Sequence, residues 1–192
     1  MLEATAPTRQ SEPPFVTDLL GQMAACQSFP NVFETHLTGD GFSWLQRQSA
    51  NCKIIWQNRG QSPITFGLGV AHHVTAEPHE SATAVIARCR DALRGLPSQK
   101  LYGGFAFRPE IPLATSPWES FGRASFWLPR MTLNDEKLRL VVLTVDDVPA
   151  ASRFVRRLAE DPTPTDQPAF PRWSARVDQP DRLAWTDCIA NA

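Results

Sequence analysis

Apolar residues at Val16, Leu19, Leu20 and Met23 recur from Phe15 onward at helical spacing, and this period predicts a first helix. Thr38-Gly-Asp-Gly41 is a turn cluster leading into a short apolar-faced segment with Trp44 and Leu45. The period then changes to two. Cys52, Ile54 and Trp56 alternate with Lys53 and Gln57, and Asn58-Arg-Gly-Gln61 reads as a turn. Ile64, Phe66, Leu68 and Val70 alternate with Thr65, Gly67 and Gly69, which predicts a hairpin with its bulky residues on one face. The glycines leave the other face open to close packing by another element.

The clearest helix is Ser81 to Leu96. Val85, Ile86, Cys89, Leu93 and Leu96 make one stripe, flanked by Arg88, Arg90, Asp91 and Arg94. Ser81 can cap its start, and Gly95 and Pro97 mark its end. Strands follow at Leu101–Phe107, Ser125–Leu128 and Leu138–Val145, the last apolar on both faces and hence central. Arg108 to Ser120 has three prolines and reads as an irregular loop. Asp146 and Asp147 stand where they can cap a helix starting near Pro149, with the stripe Ala151, Phe154, Val155 and Leu158. Segregated helices and strands predict an α+β domain over 15–160, with a mainly antiparallel sheet packed with helices. A disordered tail is expected over 1–14, a Pro-rich linker over 161–179, and the start of a helix over 180–192.

Composition narrows the class. At 192 residues and 42% hydrophobic, the chain can bury roughly 70% of its unfolded surface. Its 19 basic and 20 acidic residues nearly cancel, against the basic excess of a nucleic-acid binder. Arg153, Arg156 and Arg157 fit the wet side of a helix. Cys26, Cys52, Cys89 and Cys188 form no C-x-x-C pair and read as reduced core residues, although an even count also permits disulfides. The first residues lack the basic-then-apolar order of a secretory signal, and no apolar run approaches a membrane span. The expectation is a cytoplasmic chain with neither nucleic-acid nor membrane partners.

Reactive constellations are not legible. No G-x-S-x-G occurs, and Gly67-x-Gly69 lacks the third glycine of a dinucleotide fingerprint. Neighbours on a strand point to opposite faces, so His72 and His73 suit one packed and one solvated ring better than a metal pair. Asp146-Asp147 suits a helix start. Glu77, Glu80 and Glu119 stand isolated, with Glu80 near the first turn of a helix. Gly103-Gly104 fits a bulge or close backbone contact, or else a ligand approaching the main chain. The six tryptophans read mostly as core or interface residues. No catalytic, cofactor-binding or metal-binding residue is assigned.

An ordered set of segments nevertheless resembles one family. Trp44-Leu45 with Gln48, then Ile55-Trp56 with Arg59, is similar to a W-L-x-x-Q followed by I-Y-W-x-x-R, with Ile55 at the tyrosine position. Gly67-Leu-Gly69 matches a small-residue strand. Tyr102-Gly-Gly-Phe-Ala-Phe107 resembles F-G-G-x-A-F, and Arg108-Pro109 stands where an acidic residue and proline are usual. Trp118, Phe121, Phe126 and Leu128-Pro129-Arg130 continue the order, and Pro180-Asp-Arg with Trp185 looks like a helix leading into a chorismate-binding domain. The set, spanning about residues 40 to 192, resembles the N-terminal half of menaquinone-type isochorismate synthases, chorismate-utilising enzymes.

The resemblance implies the N-terminal half of the anthranilate synthase component I-like fold. In the full family, chorismate becomes isochorismate with Mg²⁺: a lysine acts as base, a glutamate as acid, and further glutamates hold the metal. Those residues lie downstream of the Pro180 helix, on segments such as a K-V-V-L-A-R-like strand that this sequence does not contain. The implied role is therefore a scaffold that is inactive alone, binds no cofactor of its own, and meets chorismate only alongside a C-terminal half. Menaquinone, siderophore and salicylate pathways all remain open. An alternative is a non-catalytic interaction module that pairs with a separate catalytic chain or self-associates. A self-contained small-molecule binding domain has the glycine strands and aromatics in its favour.

Overall fold

The computed structural model describes residues 12–57, 63–77, 79–106 and 122–159. Pro14 opens helix α1 (Pro14–Ala25) at its first turn, where a missing N–H breaks no bond, and Val16, Leu19 and Met23 form its buried stripe. Strand β1 (Asn31–His36) follows, which the periodicity does not announce. Helix α2 (Gly41–Arg47) is the short segment of Trp44 and Leu45, both buried. The Asp40 carboxylate caps it, accepting from the Phe42 and Ser43 N–H groups.

The expected hairpin is present as β2 (Lys53–Trp56) and the much longer β3 (Thr65–Thr75), antiparallel with Lys53 opposite Leu68. Its bulky residues do not share one face: Ile54 stands beside Gly67 and Trp56 beside Thr65, so this register puts the bulky set of β2 on the face opposite Phe66 and Leu68, and Trp56 is 47% exposed while Leu68 is in the core. Helix α3 (Ala82–Ala92) follows, capped by the Ser81 hydroxyl, which accepts from the Ala84 N–H. Gly95 takes the left-handed conformation just beyond it, as a stop signal does.

Three strands come next: β4 (Tyr102–Phe105), β5 (Ala124–Asn134) and β6 (Lys137–Val142). A 3-10 turn (Val145–Asp147) leads into α4 (Val148–Ala159), which carries the expected stripe: Ala151 and Val155 are buried, Phe154 and Leu158 partly so. Arg153, Arg156 and Arg157 are exposed along it. The expected Asn58–Gln61 turn, the Arg108–Ser120 loop, the 161–179 linker and the 180–192 helix lie outside the described residues, as do residues 1–11, Glu119 and Cys188.

The six strands form one sheet in the order β1-β6-β5-β3-β2, antiparallel at every pairing, with β4 also joined to β5. The fold is thus α+β with an antiparallel sheet. Strand β5 is its spine. Strand β3 runs along one edge of β5, and the other edge carries β4 opposite residues 124–127 and β6 opposite residues 131–134. Pro129 falls in the interval between those two ladders, where a missing N–H removes no rung from that edge.

Alternation divides the apolar residues between two faces. Phe33, Leu138, Leu140, Val142, Leu68 and Met131 pack under α1, α2 and α4. Val141, Leu128 and Leu96 form a cluster on the opposite face, and Val74, Ala124, Val85 and Cys89 form another beneath α3. Each fully buried leucine or valine stabilises the fold by about 1.5–3 kcal/mol relative to exposure. The glycines of β3 serve close packing, as expected. A side chain at Gly67 would press on Pro129 and Ile54, and one at Gly69 would lie 2.6 Å from the Phe154 ring of α4.

The acidic pair after β6 departs from expectation. Asp146 is exposed, and Asp147 does not cap a helix. It turns back instead, accepting from the Leu143 N–H at 3.0 Å and from Arg130 Nη1 at 2.5 Å. The same Arg130 nitrogen donates to the Val141 carbonyl at 2.9 Å. A buried arginine on the central strand demands a partner more strongly than a helix start demands a cap.

Candidate functional site

Most polar residues with chemical potential have structural employment. Glu80 accepts from the Glu77 N–H and from Arg88. Glu34 pairs with Arg139 and Lys137, and the Arg139 hydrogen bond holds its carboxyl below the usual range. Cys26, Cys52 and Cys89 are free thiols. Burial pushes Cys52 and Cys89 up, which leaves both as protonated, poor nucleophiles at neutral pH. Among the described residues no group of three or more His, Cys, Asp or Glu side chains converges as a metal cage.

Gly103 and Gly104 have different reasons for being glycine. A Cβ on Gly103 would overlap the Ser125 carbonyl oxygen and come within 2.7 Å of Phe126 Cα, so β4 and β5 pack main chain on main chain there. A Cβ on Gly104 would meet nothing within 4 Å.

That open position belongs to a polar and aromatic face. Cross-strand pairs share a face, and the registers put His73 beside Trp127, Thr75 beside Ser125, Tyr102 beside Trp127, and Gly104 beside Ser125. The reverse face of the same strands carries Val74, Phe126 and Ala124 and is covered by α3. His73 Nε2 lies 2.8 Å from Ser125 Oγ, and its ring is tilted against Trp127 at 5.7 Å between centroids. Ser125 is buried. The register puts His72 and His73 on opposite faces, as expected, with His72 beside Leu128; both residues are exposed, however, so the expected split into one packed and one solvated ring is not found.

The sheet also curls. Strands β2 and β4 are not neighbours, yet the Trp56 ring stands edge-on to Tyr102 at 5.8 Å. The Tyr102 hydroxyl hydrogen-bonds Thr65, which in turn accepts from Asn134 Nδ2 at 3.0 Å. A register shift between Val70 and His72 adds a residue to β3, and such a bulge bends and twists a ribbon. Burial raises the Tyr102 pKa, so the phenol stays protonated as a donor. Spacing alone did not reveal this assembly. The usable signal was polar or aromatic residues at alternate positions on three strands, with one position empty.

Partial desolvation of the imidazole beside Trp127 and Ser125, and then the neighbouring His72, lower the His73 pKa from its ordinary value, although the residue as a whole is exposed. A depressed histidine means that the unfolded chain binds more protons between the folded and unfolded pKa values, so stability falls as pH drops below the unfolded value. Urea midpoints measured from about pH 7 to about pH 5 should therefore decline, and His73→Gln should flatten that part of the decline. Identical slopes in the two proteins would show that His73 is solvated.

A concavity of about 310 Å³ lies beside α4 and is lined by Cys52, Val70, Phe154 and Arg157 among others. Another, of about 330 Å³, lies near Glu80, Phe105 and Arg123.

No protein-family model matches the chain, and no curated protein does. Among solved structures it is similar to MenF, the menaquinone-specific isochorismate synthase from Escherichia coli, with a TM-score of 0.52 at 19% sequence identity. The likeness covers 78% of this chain and 34% of that one, so the chain spans about a third of that enzyme's length and shares the fold of that part.

Proposed function

We propose that this chain is the N-terminal, non-catalytic portion of an isochorismate synthase-like enzyme, a scaffold for a chorismate-binding half outside these 192 residues. The observation that carries the reading is the fold likeness to one third of MenF, joined to the ordered segments Trp44-Leu45, Gly67-Leu-Gly69 and Tyr102–Phe105. On this reading 15–160 is the scaffold domain, 161–179 a linker, and 180–192 the lead into the missing half. In its support, four of the described carboxylates are engaged within the fold: Glu34, Glu80 and Asp147 are bound to arginines, and Asp40 caps α2. On this reading, metal and acid–base chemistry belong to the other half. No helix among the described residues is long and apolar enough to cross a membrane.

The test is isochorismate formation from chorismate with Mg²⁺. The chain alone should give no product above the uncatalysed background, and turnover by it would overturn the proposal. A second reading, an interaction module, draws on β2. This edge strand exposes Ile55 and Trp56, and on the following strand and just before it Val70 and Ile64 are 40% and 37% exposed. Sedimentation velocity separates the two: concentration-dependent self-association favours the module, whereas a monomer at every concentration favours the scaffold.

A further inference from the structure

The cleft of about 310 Å³ beside α4 has no part in the scaffold role. Three walls form it. Residues 49–52, the link between α2 and β2, make the first; Gly69 and Val70 of β3 make the second; Phe154, Arg157 and Leu158 of α4 make the third. The walls are tied to one another. The Gly69 N–H donates to the Cys52 carbonyl at 2.9 Å, which fixes the link to β3. Gly69 has φ +65°, and its missing Cβ admits the Phe154 ring, so β3 and α4 approach closely where they border the cleft.

The lining divides by chemistry. Val70, Phe154 and Leu158 supply apolar surface, and Val70 is 40% exposed, so part of that surface is open to water. Arg157 is the lining side chain that is charged at neutral pH, since burial keeps the Cys52 thiol protonated. Among the described residues no carboxylate lines the cleft, and no described ion pair uses Arg157 or its helix neighbours Arg153 and Arg156. The C-terminal end of α4 contributes roughly half a negative charge against these three positive ones, so the described charge of the helix favours an anion.

We propose that this cleft binds a compact monocarboxylate, a small apolar body bearing one carboxylate group. The body packs against Val70, Phe154 and Leu158, and the carboxylate accepts from the Arg157 guanidinium, which is exposed and stands where the cleft meets water. Small-molecule sites span roughly 300–1,000 Å³, so this cleft is at the small end and suits a body of about one ring. A cation would meet Arg157 with no counter-charge, and an uncharged body would forgo the charge-assisted bond. The inference stands independently of the scaffold proposal.

Cyclohexanecarboxylate is the probe, titrated at neutral pH into the full 192-residue chain while backbone N–H resonances are followed by NMR. Saturable shifts centred on Cys52, Val70 and Leu158 are expected, with a dissociation constant on the order of 1 mM for so small a fragment. Cys52 gives an independent readout because it lines the cleft and is only half-buried. Probe at ten times its dissociation constant should slow alkylation of Cys52 by iodoacetamide about tenfold and leave Cys26 unchanged. Arg157→Gln should weaken binding about fivefold or more, whereas Arg156→Gln, a charge lost from the same helix outside the lining, should change it by less than about twofold. Should Arg157→Gln fail to fold, Arg157→Lys serves, with a smaller loss expected. The proposal is overturned if the probe produces no saturable shift, if the shifts centre on the concavity near Glu80 and Phe105, or if Cys52 is alkylated at the same rate with and without probe. It is equally overturned if the Arg157 variant binds as the parent does, if Arg156→Gln loses as much, or if acetate or cyclohexylmethylamine binds as well as the probe.

Discussion

Asp147→Ala is expected to lower the free energy of unfolding by about 3 kcal/mol. Arg130 is only 8% exposed on the central strand, and its guanidinium meets the Asp147 carboxylate and the Val141 carbonyl. Removing the carboxylate leaves a buried cation without its counter-charge and deprives the Leu143 N–H of its acceptor. Loss of a helix cap at the same residue would amount to about 1 kcal/mol, so the size of the effect separates the two roles. Urea denaturation with an unchanged slope is the measurement. Replacing both partners, as Arg130→Met with Asp147→Leu, should recover much of the loss, because the penalty lies mainly in the orphaned charge. A loss near 1 kcal/mol, with no recovery in the double variant, would show that the pair is hydrated and stabilises little.

Gly103→Ala is the second large effect, about 3 kcal/mol or more. The added methyl group would meet main-chain atoms of β5, the Ser125 oxygen and Phe126 Cα, and these cannot rotate away as a side chain could. Strand β4 must then detach from residues 124–127 or carry the strain. For a protein of this size the loss corresponds to a fall in Tm of roughly 6–12 °C. Gly104→Ala, one residue along, should change stability by less than about 1 kcal/mol, since its methyl group enters open space and alanine is less flexible when unfolded. Similar thermal midpoints for the two variants would refute the close-approach reading of Gly103.

The elements visible in the sequence are those whose local pattern agrees with their final surroundings. Helix α3 has an unbroken stripe, a serine cap and a glycine stop, and each is used as its residue type suggests. Helix α4 shows its stripe equally well. Strand β1 stayed hidden because its six residues alternate only weakly and its stability comes from β6, far away in the chain. Strand β5 reads as stopping before Pro129, since proline normally ends a strand. It continues to Asn134 because that proline sits between two ladders, which only the topology can reveal. Asp147 likewise looks like a cap until Arg130 is seen across the corner. The candidate site was the least legible part. Its residues come from three strands, and what unites them is register and the bend of a ribbon.

The pairing of β1 with β6 constrains how this protein can be made. Glu34 reaches Arg139 across 105 positions of chain, and every rung between these strands spans a comparable distance. On the ribosome, Val32 and Phe33 emerge long before Val141 and Leu140 exist to receive them. The nascent chain therefore carries a sticky, unmatched segment through most of its synthesis, and closure of the sheet must await release of nearly the whole domain. Expression at lower temperature or with added holdase chaperone should improve soluble yield for that reason, more than any change to the finished core would.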